Sequence, residues 1–182
     1  MDSNAVLYKL FNNGVVQLEY QYNISDTLEQ SQYDVDEVET DIEKMICSPE
    51  DEQKILNQFL PLIRDYDFIW GKNPTLSLFI QRKCHFKSLE FHTDYYDRQS
   101  DFFILFYPKE WDNDSGGQIS FGIQDMQGNV MVNEIYFLAT DFVLIVNNVN
   151  PLFKHCVMPC INDTNRYLGC LEITRGTFSC IS

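Results

Sequence analysis

A chain of 182 residues with 45% hydrophobic and 14% aromatic side chains is long and apolar enough to close one buried core without disulfide staples. Its formal net charge of −14 repels phosphate backbones and disfavours nucleic acid as a partner. No stretch approaches the roughly 18 apolar residues that span a bilayer, and residues 1–14 lack the basic start and apolar run of a signal peptide; the expectation is a cytoplasmic protein with no membrane partner.

Taken in chain order, residues 6–24 read as two short strands around an Asn12-Asn13-Gly14 turn, because Asn-Gly supplies the positive φ angles of a tight hairpin. An acidic stretch follows. Between Glu29 and Glu52 ten acids face a single lysine, Lys44, a pattern that reads as a solvated face or arm, or as a docking surface for a basic partner. Ser48-Pro49-Glu50-Asp51 then carries the marks of a helix start, with Ser48 as cap and Pro49 in the first turn. The spacing of Ile55, Leu56, Phe59, Leu62 and Ile63 predicts a helix over 49–66 with one buried stripe.

Beyond the turn-rich residues 70–74 the helical period disappears. Short apolar runs at 76–80, 89–93, 102–107, 118–123, 130–138, 142–146, 155–160 and 167–173 are separated by turn signals, which suggests about eight strands. The expected fold is mainly β with a supporting helix, built on a double-stranded β-helix (a jelly-roll, cupin-like core). One domain accommodates the whole chain, with residues 1–74 as the supporting part and 75–182 as the core.

Chemistry concentrates on few residues. The chain has three histidines, His85, His92 and His155. In Phe91-His92-Thr93-Asp94 the His-x-Asp spacing puts imidazole and carboxylate on one face of an extended segment, since strand side chains alternate with period two. His155, 63 positions later, opens another predicted strand that a jelly roll can bring alongside. Two histidines and one carboxylate form the facial set of non-haem iron(II) oxygenases, which leaves coordination sites open for a cosubstrate and dioxygen. By itself His-x-Asp is a short motif, and it leaves open a plain surface strand.

Four segments in this order carry more weight: FHTD around His92 and Asp94, FFILFYPKEWDNDSGGQISF, NPLFKHCVMP around His155, and RYLGCLEI from Arg166. Together, over roughly residues 89–173, they resemble the Fe(II)/2-oxoglutarate-dependent dioxygenases, within them the prolyl-hydroxylase-like branch. The resemblance implies His92, Asp94 and His155 as ligands of Fe(II), 2-oxoglutarate as cosubstrate and ascorbate as reductant. It implies Arg166, eleven positions beyond His155, as the residue that grips the distal carboxylate, and Tyr107 as a second contact to it. A guanidinium suits that task as a planar, permanently charged, bidentate partner. A protein or peptide substrate with proline first is implied; a small-molecule or nucleobase oxygenase and a non-catalytic binding module are the alternatives. Gly116-Gly117 matches the pair that opens the next strand in this family, and Leu168 stands where many relatives carry serine.

Smaller signals have plainer readings. Cys156 and Cys160 lack the further closely spaced ligands of a structural zinc site and read as small core residues, and all six cysteines (Cys47, Cys84, Cys156, Cys160, Cys170, Cys180) read as reduced thiols. Arg82, Lys83, His85 and Lys87 form a basic cluster that reads as a solvated strand edge or as the rim of a substrate entrance. Trp111 reads as turn packing.

Overall fold

The computed structural model describes residues 2–35, 42–83, 90–95, 100–137, 139–160 and 166–177. Two antiparallel sheets face each other. The larger has seven strands in the order β1 (Val15–Glu19), β8 (Phe142–Asn147), β5 (Phe102–Phe106), β10 (Arg166–Thr174), β4 (Thr75–Lys83), β3 (Ile42–Ile46) and β2 (Gln32–Val35). The smaller has three, in the order β7 (Val130–Tyr136), β6 (Ile119–Gln124) and β9 (Phe153–Val157). From β7 to β10 successive strands alternate between the two sheets, the winding of a jelly roll.

Period-two alternation divides the core in two. On β5, Phe102, Ile104 and Phe106 turn outward to the helices, while Phe103, Leu105 and the following Tyr107 turn inward to the small sheet. The same parity holds on β8 and β10: Val143, Ile145, Leu171 and Ile173 pack outward, and Leu144, Val146, Leu168 and Cys170 pack inward. Every residue of β5 is buried, as expected of a strand covered on both faces.

The outward layer is closed by α3 (Pro49–Asp65), whose buried positions Ile55, Phe59, Leu62 and Ile63 keep the three- and four-residue spacing read from the sequence. Its start matches the sequence signals, with the Ser48 side chain accepting from the Asp51 amide at 3.1 Å. A second hydrogen bond, from the Ser48 hydroxyl to the Asp51 carboxylate at 2.7 Å, holds the Asp51 carboxyl below its ordinary range, because the ionised form is the better acceptor. Phe59 lies 4.6 Å from Phe106 between ring centroids and 5.4 Å from Tyr22, so an aromatic cluster ties the helix to the sheet. The short α4 (Asp67–Trp70) follows, with the buried Trp70 indole donating to the Ile63 carbonyl at 2.9 Å.

Several expectations change. Residues 6–24 are not a hairpin: Ser3–Asn13 is a helix, α1, and only Val15–Glu19 is a strand, paired with β8. The Asp2 side chain caps α1 by accepting from the Ala5 amide, and Gly14, with φ of 81°, ends the helix in the left-handed conformation. An Asn-Gly pair serves a helix C-terminus as well as a hairpin. Val6 and Leu10, fully buried four positions apart, decide for the helix.

The acidic stretch is neither a bare face nor an arm throughout. Its described parts are the six-residue α2 (Ser25–Gln30), the antiparallel pair β2–β3 and the first turn of α3. β3 adds to the outer side of β4, which makes β4 an internal strand and overturns the edge reading for Arg82 and Lys83. Arg82 pairs with Glu43 and lies over the Tyr33 ring, 4.1 Å from its centroid. The Lys83 side chain, His85 and Lys87 lie outside what is described. Among the described cysteines Cys47, Cys156, Cys160 and Cys170 are free thiols; Cys84 and Cys180 lie outside the described residues. Among the described residues no helix is long and apolar enough to cross a membrane.

Candidate metal centre

The expected strand over 89–93 is reduced to a single bridge. His92 and His155 pair backbone to backbone, the His92 amide donating to His155 at 3.0 Å and the His155 amide to His92 at 2.9 Å. Leu89 lies outside the described residues. Residues directly opposed in an antiparallel pair project their side chains to the same face. The two imidazoles accordingly meet, with ring centroids 4.4 Å apart.

Asp94 joins them by another route than the one expected. Residues 94 and 95 form a turn in which the Thr93 hydroxyl accepts from the Tyr95 amide at 3.2 Å, so the carboxylate is delivered by a turn instead of by strand alternation. Its two oxygens lie 3.9 Å from His92 Nε2 and 3.7 Å from His155 Nε2. One donor atom from each of the three residues falls within 4.8 Å of the others. Among the described residues this is the one cluster of that kind.

His155 sits in the middle of β9, not at the start of a strand, and opposite Phe121 on β6. The Phe121 ring lies 5.9 Å from the imidazole, on the inward face shared with Ile119 and Val157. His92 Nδ1 lies 2.9 Å from the Glu90 carbonyl. With the proton on Nδ1 donating there, Nε2 keeps its lone pair toward Asp94, the arrangement by which a ligating histidine is oriented. Two imidazole nitrogens and a carboxylate oxygen make a donor set suited to a divalent transition metal.

Arg166 opens β10 on the same inward face as Leu168 and Cys170, and is only 3% exposed. Tyr107, 2% exposed, follows β5 on the inward face, its ring centroid 5.9 Å from the Arg166 guanidinium carbon. Burial pushes the Tyr107 hydroxyl well above its ordinary range, Arg166 working against that shift, and burial pulls the Arg166 guanidinium downward. The Tyr107 backbone is fixed from outside, since its amide donates to the Tyr22 hydroxyl at 2.9 Å and its carbonyl accepts from it at 3.1 Å. The metal-type triad and a buried cation–phenol pair thus face the same interior.

This is the interior of a known fold. Solved structures superpose over nearly the whole chain. An oxidoreductase of the 2OG-Fe(II) oxygenase family from Burkholderia pseudomallei matches with a TM-score of 0.68 and 14% identity, over 97% of this chain and 92% of that one. The fold is that of the 2-oxoglutarate/Fe(II) oxygenases. A prolyl hydroxylase from Trichoplax adhaerens, solved with a hypoxia inducible factor oxygen degradation domain peptide fragment, shares this oxygenase fold at a TM-score of 0.65 and 15% identity, over 95% and 89% of the two chains. HygX from Streptomyces hygroscopicus, solved with nickel, 2-oxoglutarate and hygromycin B, shares it at a TM-score of 0.66 and 15% identity, over 98% and 89% of the two chains. No family model and no curated protein matches the sequence.

Sequence reasoning passed over several supports of the oxygenase-fold interior. Phe121 gives no local sign that it faces His155, and the Glu90 carbonyl belongs to backbone. Gly116 and Gly117 do carry a signal in their pairing: both have positive φ, 83° and 75°. Trp111 packs on this turn as expected, its indole donating to the Gly116 carbonyl at 2.9 Å.

Proposed function

We propose that the chain is a non-haem iron(II) and 2-oxoglutarate-dependent dioxygenase in which His92, Asp94 and His155 hold the iron and Arg166, with Tyr107, receives the distal carboxylate of 2-oxoglutarate. The observation that carries it is the convergence of the three donors within 4.8 Å on the interior face that also bears the buried Arg166. When bound, iron and 2-oxoglutarate supply the oxidising chemistry, in which dioxygen is consumed, 2-oxoglutarate leaves as succinate and carbon dioxide, and one oxygen atom passes to the substrate.

The chain's own residues bind and orient. Glu90 steadies the His92 ring, so that the Nε2 lone pair is the one presented. Asp94 brings a negative charge that offsets part of the ion's. Arg166 is a buried cation, and at a buried position a carboxylate partner gains more than it would at the surface. The Tyr107 hydroxyl, kept protonated by burial, is available to donate to the same carboxylate.

For the substrate, a peptidyl residue with proline first is the preferred class, supported by the shared fold of a peptide-bound prolyl hydroxylase. A small-molecule substrate is the second reading, supported by the equal likeness to HygX with hygromycin B bound. The net charge of −14 works against nucleic acid. Succinate release in the presence of Fe(II), 2-oxoglutarate and ascorbate tests the proposal, with proline-containing peptides screened against free amino acids, small polyhydroxylated molecules and oligonucleotides. Substrate-stimulated succinate from the peptide pool is the expected result. Stimulation by small molecules alone would move the assignment to the second class, and no succinate above a metal-free control would remove the enzyme reading.

A further inference from the structure

Gly117 lies against the stem of Arg166, with Cys160 and Tyr107 close by. Gly117, in the turn before β6, has φ of 75°, and its amide donates to the Pro159 carbonyl at 3.1 Å. A Cβ placed on Gly117 would lie 3.0 Å from Arg166 Cδ, 3.2 Å from its Nε and 2.9 Å from Cys160 Sγ. The hydrogen atom of Gly117 therefore fills the space between the thiol and the guanidinium stem. Cys160, 5% exposed, is itself pinned by a backbone bridge to Gly116, whose own Cβ would strike the Pro159 carbonyl oxygen at 1.9 Å. Tyr107 bounds the far end of the same side chain.

Close packing of this kind fixes position, because a stem wedged between small neighbours has one place to lie. We infer that Gly117 and Cys160 are positioning residues for Arg166: their small size sets where the guanidinium is presented, and thereby the affinity for 2-oxoglutarate. The inference rests on the oxygenase proposal above. Neither residue touches the triad's donor atoms in any contact described, so their enlargement is expected to separate cosubstrate binding from metal binding.

The test is calorimetric titration of Mn(II), and then of 2-oxoglutarate into the Mn(II)-loaded protein, for the wild type and for Cys160→Met, Cys160→Ser and Gly117→Ala. Cys160→Met extends the side chain toward Arg166 and is expected to weaken 2-oxoglutarate roughly tenfold or more while Mn(II) affinity stays within about twofold, since displacing one charge-assisted contact has an effect of that order. The near-isosteric Cys160→Ser is expected to keep 2-oxoglutarate affinity within about twofold. Gly117→Ala is expected to follow Cys160→Met, with the added strain of a side chain at positive φ; because it can fail to fold, the cysteine pair decides. Wild-type-like 2-oxoglutarate affinity in Cys160→Met overturns the inference, and so does a parallel loss of Mn(II). Failure of the wild type itself to bind 2-oxoglutarate overturns the oxygenase reading and the inference with it.

Discussion

Replacing His155 with alanine is expected to lower 2-oxoglutarate-dependent succinate release by roughly a thousandfold or more, equivalent to about 4 kcal/mol of lost transition-state stabilisation. The imidazole supplies one of three donors, and two side chains do not hold an ion against water as three do. Its removal leaves the fold in place, because the strand β9 is held by backbone pairing to β6 and the neighbouring contacts are those of a partly exposed ring, not of the packed core. Far-ultraviolet dichroism and a melting curve on the same sample check that point. Turnover within tenfold of wild type, with the fold intact, would show that His155 is not a ligand.

Arg166→Leu is expected to act on the other half of the site. Iron binding should persist, while the affinity for 2-oxoglutarate falls roughly 10- to 100-fold, the worth of a charge-assisted pair of hydrogen bonds at a buried residue. Stability should hold or rise. The guanidinium is 3% exposed, and exchanging a buried charge for an apolar side chain removes a desolvation cost. Arg166→Lys should recover only part of the affinity, since an ammonium keeps the charge but not the planar fork. Titration of 2-oxoglutarate into the two metal-loaded variants reads the affinities and a melting curve reads the stability; an unchanged affinity in Arg166→Leu would move the cosubstrate's carboxylate elsewhere.

How much of this was legible in the sequence depends on the range of the signals. α3 was written locally: a cap at Ser48, a proline after it and a stripe through Ile55, Phe59, Leu62 and Ile63 all agree with the fold. The inward and outward halves of β5, β8 and β10 were less so, because continuous apolar runs mark a strand covered on both faces without saying which side chain turns where. At residues 12–14 the local code was ambiguous, since Asn-Gly ends a helix as readily as it turns a hairpin. β2 and β3 were hidden by their own composition: Gln32, Asp34, Val35, Lys44 and Ile46 are exposed, Tyr33 and Met45 pack on the outward, helix-side core, and charge outweighs apolar alternation.

The site shows the same division. His92, Asp94, His155 and Arg166 stood out by residue type and order, yet the means that join them did not. Asp94 arrives on a turn, His92 is held by one bridge and His155 lies mid-strand, and all three depend on long-range pairing that no local pattern encodes. Gly117 and Cys160 read from the sequence as a turn residue and a small core residue. Only the fold places both within 3.0 Å of one point beside Arg166 Cδ.

Iron retention measures the centre of this proposal most directly. The wild-type chain and a His155→Ala, Asp94→Ala double variant are incubated anaerobically with Fe(II), passed over a desalting column and assayed for iron. An oxygenase built on this triad retains one Fe(II) per wild-type chain and none on the variant. A wild-type chain that emerges without iron, or a variant that keeps as much as the wild type, would contradict it.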